Sequence, residues 1–256
     1  MILLIVLLKR FKKKYIINIY MVKKRAILLR GYHYRKDHVT NSGFYKNAGK
    51  YDLDYERYFL KSFKQNILND SNYESDIYIL THDSEKLTKL INDLNPVKYV
   101  VDDLTKKRQD QTFTQGLEVV YNHCKENNLK YDSLLVCRMD QRFNKNPLDF
   151  FNLDKKRVNI FAFHNTPKNY YIDYIHHIPF KYLKKYISLL NDTLSERVSA
   201  FHEMWNTNPG IGDNVNKIYN ITFLSKEDSE IIETDREFVC CAYTKHDSIR
   251  SIKWEK

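Results

Sequence analysis

Apolar runs and helical spacings alternate in a regular order along the first 140 residues. Ala26-Ile-Leu-Leu29 is a short apolar run that stops at Arg30-Gly31. After a polar, glycine-containing loop, Tyr55, Phe59, Phe63 and Ile67 recur at four-residue spacing, which predicts a helix over 55–68. Asp76-Ile-Tyr-Ile-Leu80 predicts a second strand, ending at Thr81-His82-Asp83-Ser84. Asp83 or Ser84 is placed to cap a helix over 85–94, which carries Leu87, Leu90, Ile91 and Leu94 inward and is followed by Pro96. Val97–Val101 predicts a third strand, closed by Asp102-Asp103, and a helix from about 112 to 127 presents Phe113, Leu117, Val120 and Cys124. Ser133-Leu-Leu-Val-Cys-Arg138 is then a fourth strand with the apolar character of one covered on both faces. A β-α-β-α-β-α-β order implies right-handed crossovers and a parallel sheet.

Beyond Asp140 the pattern loosens. Val158–Phe163 predicts a strand, 182–190 a helix, 201–205 a short helix broken by Asn208-Pro209-Gly210, and Glu237–Tyr243 a late strand. No internal repeat or Gly/Pro/Ser-rich linker marks a boundary. The expected organisation is an N-terminal extension, 1–23, and one α/β domain, 24–256. Within that domain a regular half, 24–145, comes first and an irregular half, 146–256, follows.

A net charge of +10 invites a nucleic-acid reading, but its distribution argues against one. Eleven of the 42 basic residues fall in residues 1–36, which hold no acid, leaving 31 against 32 acids in the rest. The body of the protein is electrostatically balanced. The apolar Ile2–Leu8 run is far shorter than the roughly 20 residues of a membrane span. Its basic cluster also follows the apolar residues, the reverse of a secretory signal. A start at Met21, or a foot touching a membrane surface through residues 1–20, fits this segment. Cys124, Cys137, Cys240 and Cys241 have neither metal-ligand nor disulfide spacing, so a reducing, cytoplasmic setting is expected, with peripheral membrane contact at most.

With six glycines in the chain, neither G-x-x-x-x-G-K-S/T nor G-x-G-x-x-G occurs, which argues against triphosphate hydrolysis and dinucleotide use. Ser-nucleophile elbows and H-E-x-x-H are absent too. The adjacent His176-His177 would diverge on either a strand or a helix and read as core residues. What remains is a set of polar residues at the predicted strand ends: Arg30-Gly31-Tyr32-His33, Thr81-His82-Asp83, Asp102-Asp103 and Arg138-Met139-Asp140. A parallel sheet would bring these to one rim, where ligands of open α/β sheets bind. Gly31 would allow close backbone approach, Tyr32 would stack on a base, and Asp83 would accept from a base or ribose. Arg108 would meet a diphosphate at the positive end of the following helix. A plainer reading makes Arg138 and Asp140 a structural ion pair.

The strand order, with an R-x-D-x-R-F ending on the fourth strand (Arg138-Met139-Asp140-Gln141-Arg142-Phe143), resembles the nucleotide-sugar-binding half of GT-A glycosyltransferases. In that family a D-x-D motif follows the strand, and its last acid holds a divalent metal bridging the donor diphosphate. Some bacterial and large-virus polysaccharide glycosyltransferases carry an R-x-D form with a Gly/Arg-rich turn after the first strand, as Arg30-Gly31 does here. The similarity covers about residues 24–165 and extends weakly to about 245. It implies a GT-A-like fold: a mostly parallel central sheet, helices on both faces and an irregular acceptor-side half. It also implies a nucleoside-diphosphate-sugar donor, a glycan or protein-linked acceptor, and Mn²⁺ or Mg²⁺ at Asp140. Arg138 stands where the common motif has its first acid, so the diphosphate charge would be met by the metal or by arginine itself.

An inverting transfer would also need a carboxylate base. Glu203, between aromatics in Phe201-His-Glu-Met-Trp205, and Asp213, in a glycine-containing loop, are the candidates. His164, Tyr170-Tyr171 and Trp205 are candidates for acceptor contacts. The expected enzyme is a hexosyl- or deoxyhexosyltransferase. A sugar-phosphate nucleotidyltransferase shares the architecture but usually has more glycines after the first strand. A non-catalytic binder of polyanions or membrane surfaces, acting through residues 1–36, is the alternative outside enzymes.

Overall fold

The computed structural model of the chain describes residues 22–38, 51–107, 109–150, 153, 157–165, 170–195, 219–223 and 232–234. The first strand, β1 (Lys23–Arg30), is followed by a hairpin of β2 (Tyr34–His38) and β3 (Tyr51–Asp54). A continuous helical stretch, α1 (56–68), comes next. It is π-type over Glu56–Leu60 and Lys64–Leu68, with one α turn between. Residues four apart drift about 40° per step around a 3.6-residue turn, and the wider turns absorb that drift. Tyr55, Phe59, Phe63 and Ile67 all stay on the inner face and are fully buried.

Strand β4 (Tyr73–Thr81), helix α2 (Leu87–Leu94) and strand β5 (Lys98–Val101) follow the predicted order. Helix α2 ends at Asn95, whose left-handed backbone (φ 45°) closes it just before Pro96. Helix α3 (Gln109–Glu126) then leads into β6 (Ser133–Arg138). The second half adds β7 (Gln141–Phe143), the single turn α4 (Pro147–Phe150), β8 (Val158–Asn165), β9 (Tyr170–Pro179), α5 (Leu183–Ser195), β10 (Tyr219–Phe223) and β11 (Ile232–Thr234). Strand β11 pairs with β7 outside the main sheet. The N-terminal extension and the predicted elements at 201–205 and 237–243 lie outside the described residues.

The result is a mixed α/β fold whose main sheet has seven strands in the order β10-β8-β9-β6-β1-β4-β5. Six strands run one way and β9 runs against them. The chain moves outward from β1 to β4 and β5, then crosses back to β6 on the other side of β1. The switch point therefore falls between β1 and β6. One face buries Ala26, Leu28, Leu80 and Val136 beneath α3 and α5. The other buries Ile27, Leu29, Ile79 and Cys137 beneath α1 and α2. A Cβ added to Gly116 would lie 2.9 Å from Leu28 Cδ2, so the absent side chain lets α3 sit close on β1. Among the described residues, no helix is long and apolar enough to cross a membrane.

Candidate functional site

Because β1, β4, β5 and β6 are parallel, their polar carboxyl ends converge on one edge of the sheet. Gly31 turns the chain out of β1 with φ +97°, a conformation that side-chain-bearing residues avoid. No atom would crowd a Cβ there, so the requirement for glycine is conformational. The turn is tied to β4: Gly31 N donates to Leu80 O at 3.1 Å, and Thr81 Oγ1 donates to Gly31 O at 2.8 Å.

That second bond fixes the role of His33. With its one hydroxyl proton on Gly31 O, Thr81 Oγ1 must accept from His33 Nδ1, 2.7 Å away. Nε2 of the same ring then accepts from Ser84 Oγ at 2.7 Å, and Ser84 Oγ accepts from Lys86 N at 3.2 Å. Burial pushes the His33 ring down to about 3, with His82 adding to the effect, which keeps it neutral as this relay requires. His33 is completely buried, with both nitrogens engaged inside the protein, so it braces the β1 and β4 turns and does not line the rim. Tyr32 is half-buried, edge-on to His82 at 4.8 Å between ring centroids. Asp83 is exposed at the end of β4.

At the switch point itself, Arg30 and Arg138 are register partners on adjacent strands. Arg30 is 5% exposed, with its guanidinium 4.8 Å above the Phe113 ring. Arg138 clasps Asp140 with two bonds: Nε donates to Oδ1 at 2.9 Å and Nη2 donates to Oδ2. The ion-pair reading of Arg138-Met139-Asp140 is thus the arrangement present. A divalent metal at Asp140 would need one of these oxygens. Among the described residues, no three His, Cys, Asp or Glu side chains gather as ligands. The oxygen donors at this point, among the described residues, are those of one carboxylate already held by a guanidinium, fewer than a divalent cation takes from protein alone.

Asp102 and Asp103 serve the loop that leads into α3. Asp102 accepts from Lys107 Nζ at 2.5 Å and Gln115 Nε2 at 2.6 Å. Asp103 caps a 3₁₀ turn over Leu104–Lys106 through Thr105 N and pairs with Lys106, which draws its carboxyl down to about 2. Arg108, Glu203 and Asp213 lie outside the described residues, and at His164 only the backbone is described. Sequence reasoning did not single out a polar cavity of about 380 Å³ between α3 and α5, with Lys107, Gln111, Gln115, Glu118 and Asn191 in its wall. The signal for it was the i, i+4, i+7 spacing of Gln111, Gln115 and Glu118 on the outer face of α3.

No protein-family model matches the sequence, and no curated protein does either. Solved structures of related shape include two glycosyltransferases. One is GlyE of Streptococcus pneumoniae TIGR4, 14% identical over 78% of this chain with a TM-score of 0.41. This chain spans only 45% of GlyE's length. The other is a glycosyltransferase involved in the glycosylation of the major capsid of PBCV-1, 13% identical over 78% of this chain and 81% of that one, with a TM-score of 0.37. A nucleotidyl-type enzyme, 4-diphosphocytidyl-2C-methyl-D-erythritol synthase of Anaerococcus prevotii DSM 20548, is also similar. It is 10% identical over 86% of this chain and 94% of that one, with a TM-score of 0.49.

Proposed function

We propose that this chain is a glycosyltransferase that moves a sugar from a nucleoside-diphosphate donor to a glycan or protein-linked acceptor. The observation that carries the reading is the convergence of Arg30, Arg138 and Asp140 at the sheet's switch point, where open α/β sheets bind nucleotides. As the bond between sugar and diphosphate breaks, negative charge grows on the leaving oxygen, and fixed cations beside it lower the barrier. In this reading Tyr32, next to the Gly31 turn, stacks on the base, and exposed Asp83 accepts from base or ribose. Glu203 and Asp213 are the carboxylates proposed to take the acceptor's proton. The single glycine after β1 favours transfer over nucleotidyl chemistry, which would cradle a triphosphate in a glycine-rich loop.

The test is thermal unfolding of the full chain against UDP, GDP, CDP, ADP and their sugar conjugates, followed by assay of released nucleoside diphosphate for any sugar conjugate that binds. A rise in Tm for one base, with turnover of its sugar conjugate, is the expected result. Stabilisation by a nucleoside triphosphate with pyrophosphate release would identify a nucleotidyltransferase. No response to any nucleotide would overturn the donor-site assignment.

A further inference from the structure

Resting on that donor reading, we propose that Asp140 acts as an internal placeholder for the donor diphosphate on the Arg138 fork, and that the arginines meet the diphosphate charge without a metal. A carboxylate and a phosphate present the same pair of oxygens to a guanidinium, so one can replace the other with little change in geometry. Arg138 already holds its fork in that two-bonded form, aimed by Asp140 from the turn immediately after β6. The pair's side chains are mostly covered, 17% and 10% exposed, so the fork keeps only a narrow solvent-facing edge at the end of β6, by which an incoming anion would reach it. Arg30, its register partner, is 5% exposed and stands against Phe113, which places a second positive charge beside the pair. Strands in a sheet are about 4.8 Å apart, so one diphosphate spans both positions. On this account Asp140 keeps the guanidinium oriented and its charge balanced until the donor arrives, then releases it. Its carboxylate competes with the ligand, whereas a metal ligand would assist it. The two roles predict opposite signs for the same substitution.

The experiment is titration calorimetry of the full chain with pyrophosphate and with the nucleoside diphosphate that shifts Tm most, in EDTA and again in Mn²⁺. The wild-type chain should bind both in EDTA. Asp140→Asn, which keeps the shape but loses the charge, should bind them about three- to tenfold more tightly in EDTA, since the competing ion pair is weakened. Asp140→Ala gives a second reading should the asparagine variant unfold. Arg138→Lys keeps the charge without the fork and should bind less tightly than the wild-type chain. Binding that appears only with Mn²⁺ and is lost in Asp140→Asn would overturn the placeholder role while leaving the donor site in place. Affinity unchanged in both Asp140 variants would overturn it too. Failure of any nucleotide or pyrophosphate to bind, with or without Mn²⁺, would sink the donor reading itself.

Discussion

Strand β1 carries one arginine near its start, Arg25, and another at its end, Arg30, and the two ends of the sheet use arginine in opposite ways. At the foot of the sheet Arg25 is completely buried, between its register partners Ser75 and Ser133. Its Nη2 donates to Ile67 O at 2.9 Å and to Ser75 Oγ at 3.0 Å, and its guanidinium lies 4.4 Å from the Tyr73 ring centre. Burial pulls its pKa down, against the opposing pull of Asp70. At the rim, Arg30 lies beside Arg138, whose fork holds a carboxylate two residues further along the chain. The foot arginine is bound to a carbonyl and a short hydroxyl that cannot leave without unfolding α1 or β4. Beside Arg30 at the rim, Arg138 is bound to an acid on a turn, and on the proposed donor reading a ligand anion takes that acid's place. Whether an arginine is structural or functional is decided by whether its partner can be exchanged.

The sharpest way to break this contrast is to remove each arginine in turn. Arg25→Ala strips Ile67 O and Ser75 of a charged donor and uncovers Tyr73, and should cost about 3 kcal/mol of stability in urea unfolding. Its affinity for pyrophosphate, per folded molecule, should be unchanged. Arg138→Ala should weaken pyrophosphate binding about tenfold or more, and it should also cost about 1–3 kcal/mol because the covered Asp140 carboxylate loses its cation. Equal affinity losses in the two variants would erase the distinction between foot and rim.

A smaller effect separates foot from rim by pH. His33, buried behind the rim, is held near 3 by burial, then by His82. His177, facing the foot between Leu135 and Asn159 in register, is held near 4 by burial, then by Arg25. Both folded values lie below the ordinary histidine value of about 6.5, so the unfolded chain binds the proton more readily. The stability each neutral ring contributes is complete above about pH 6.5. It is lost as pH falls from there toward about 4 for His177 and about 3 for His33, at roughly 1 kcal/mol per pH unit for each ring. His177→Gln and His33→Gln should each flatten the slope of urea midpoint against pH between 6 and 4. Below about pH 4 only the His33 contribution should still be falling. An unchanged slope in both variants would mean that carboxylates alone set the acid limb.

Most of the sheet was legible because burial on both faces forces apolar runs, as in Ala26–Leu29 and Ser133–Cys137, and because the crossover helices carry one apolar stripe each. Strand β9 is not legible as a strand. Asp173, His176 and His177 interrupt its apolar residues, and its two buried histidines look polar until Tyr186 Oη is found 3.3 Å from His176 Nδ1. At the rim, the positions of Arg30, Gly31 and Asp140 followed from strand ends alone. That His33 turns inward did not, because it depends on Thr81 and Ser84, about 50 residues away, accepting from and donating to its ring. Local pattern locates a strand end. Which of its polar residues face the crevice is decided by hydrogen bonds to other strands.

The smallest expected effect tests a third kind of charged contact, one that is exchangeable with solvent ions. Lys86 Nζ lies 2.5 Å from Asp54 Oδ2 and 2.8 Å from Glu56 Oε1, and Lys89 extends the network to Glu56 at 3.0 Å and Asp93 at 2.9 Å. These contacts strap β3 and the start of α1 to α2, yet the Lys86 side chain is still a quarter exposed. Water and salt screen such pairs, so Lys86→Met should cost only about 0.5–1 kcal/mol in low salt. At about 1 M NaCl, where screening acts over about 3 Å, most of that cost should vanish. The cost of Arg25→Ala should persist at the same salt, because ions do not reach a guanidinium bonded to a buried carbonyl. A Lys86 effect that resists salt would place this network with the foot of the sheet, as a fixed part of the frame on which the rim is built.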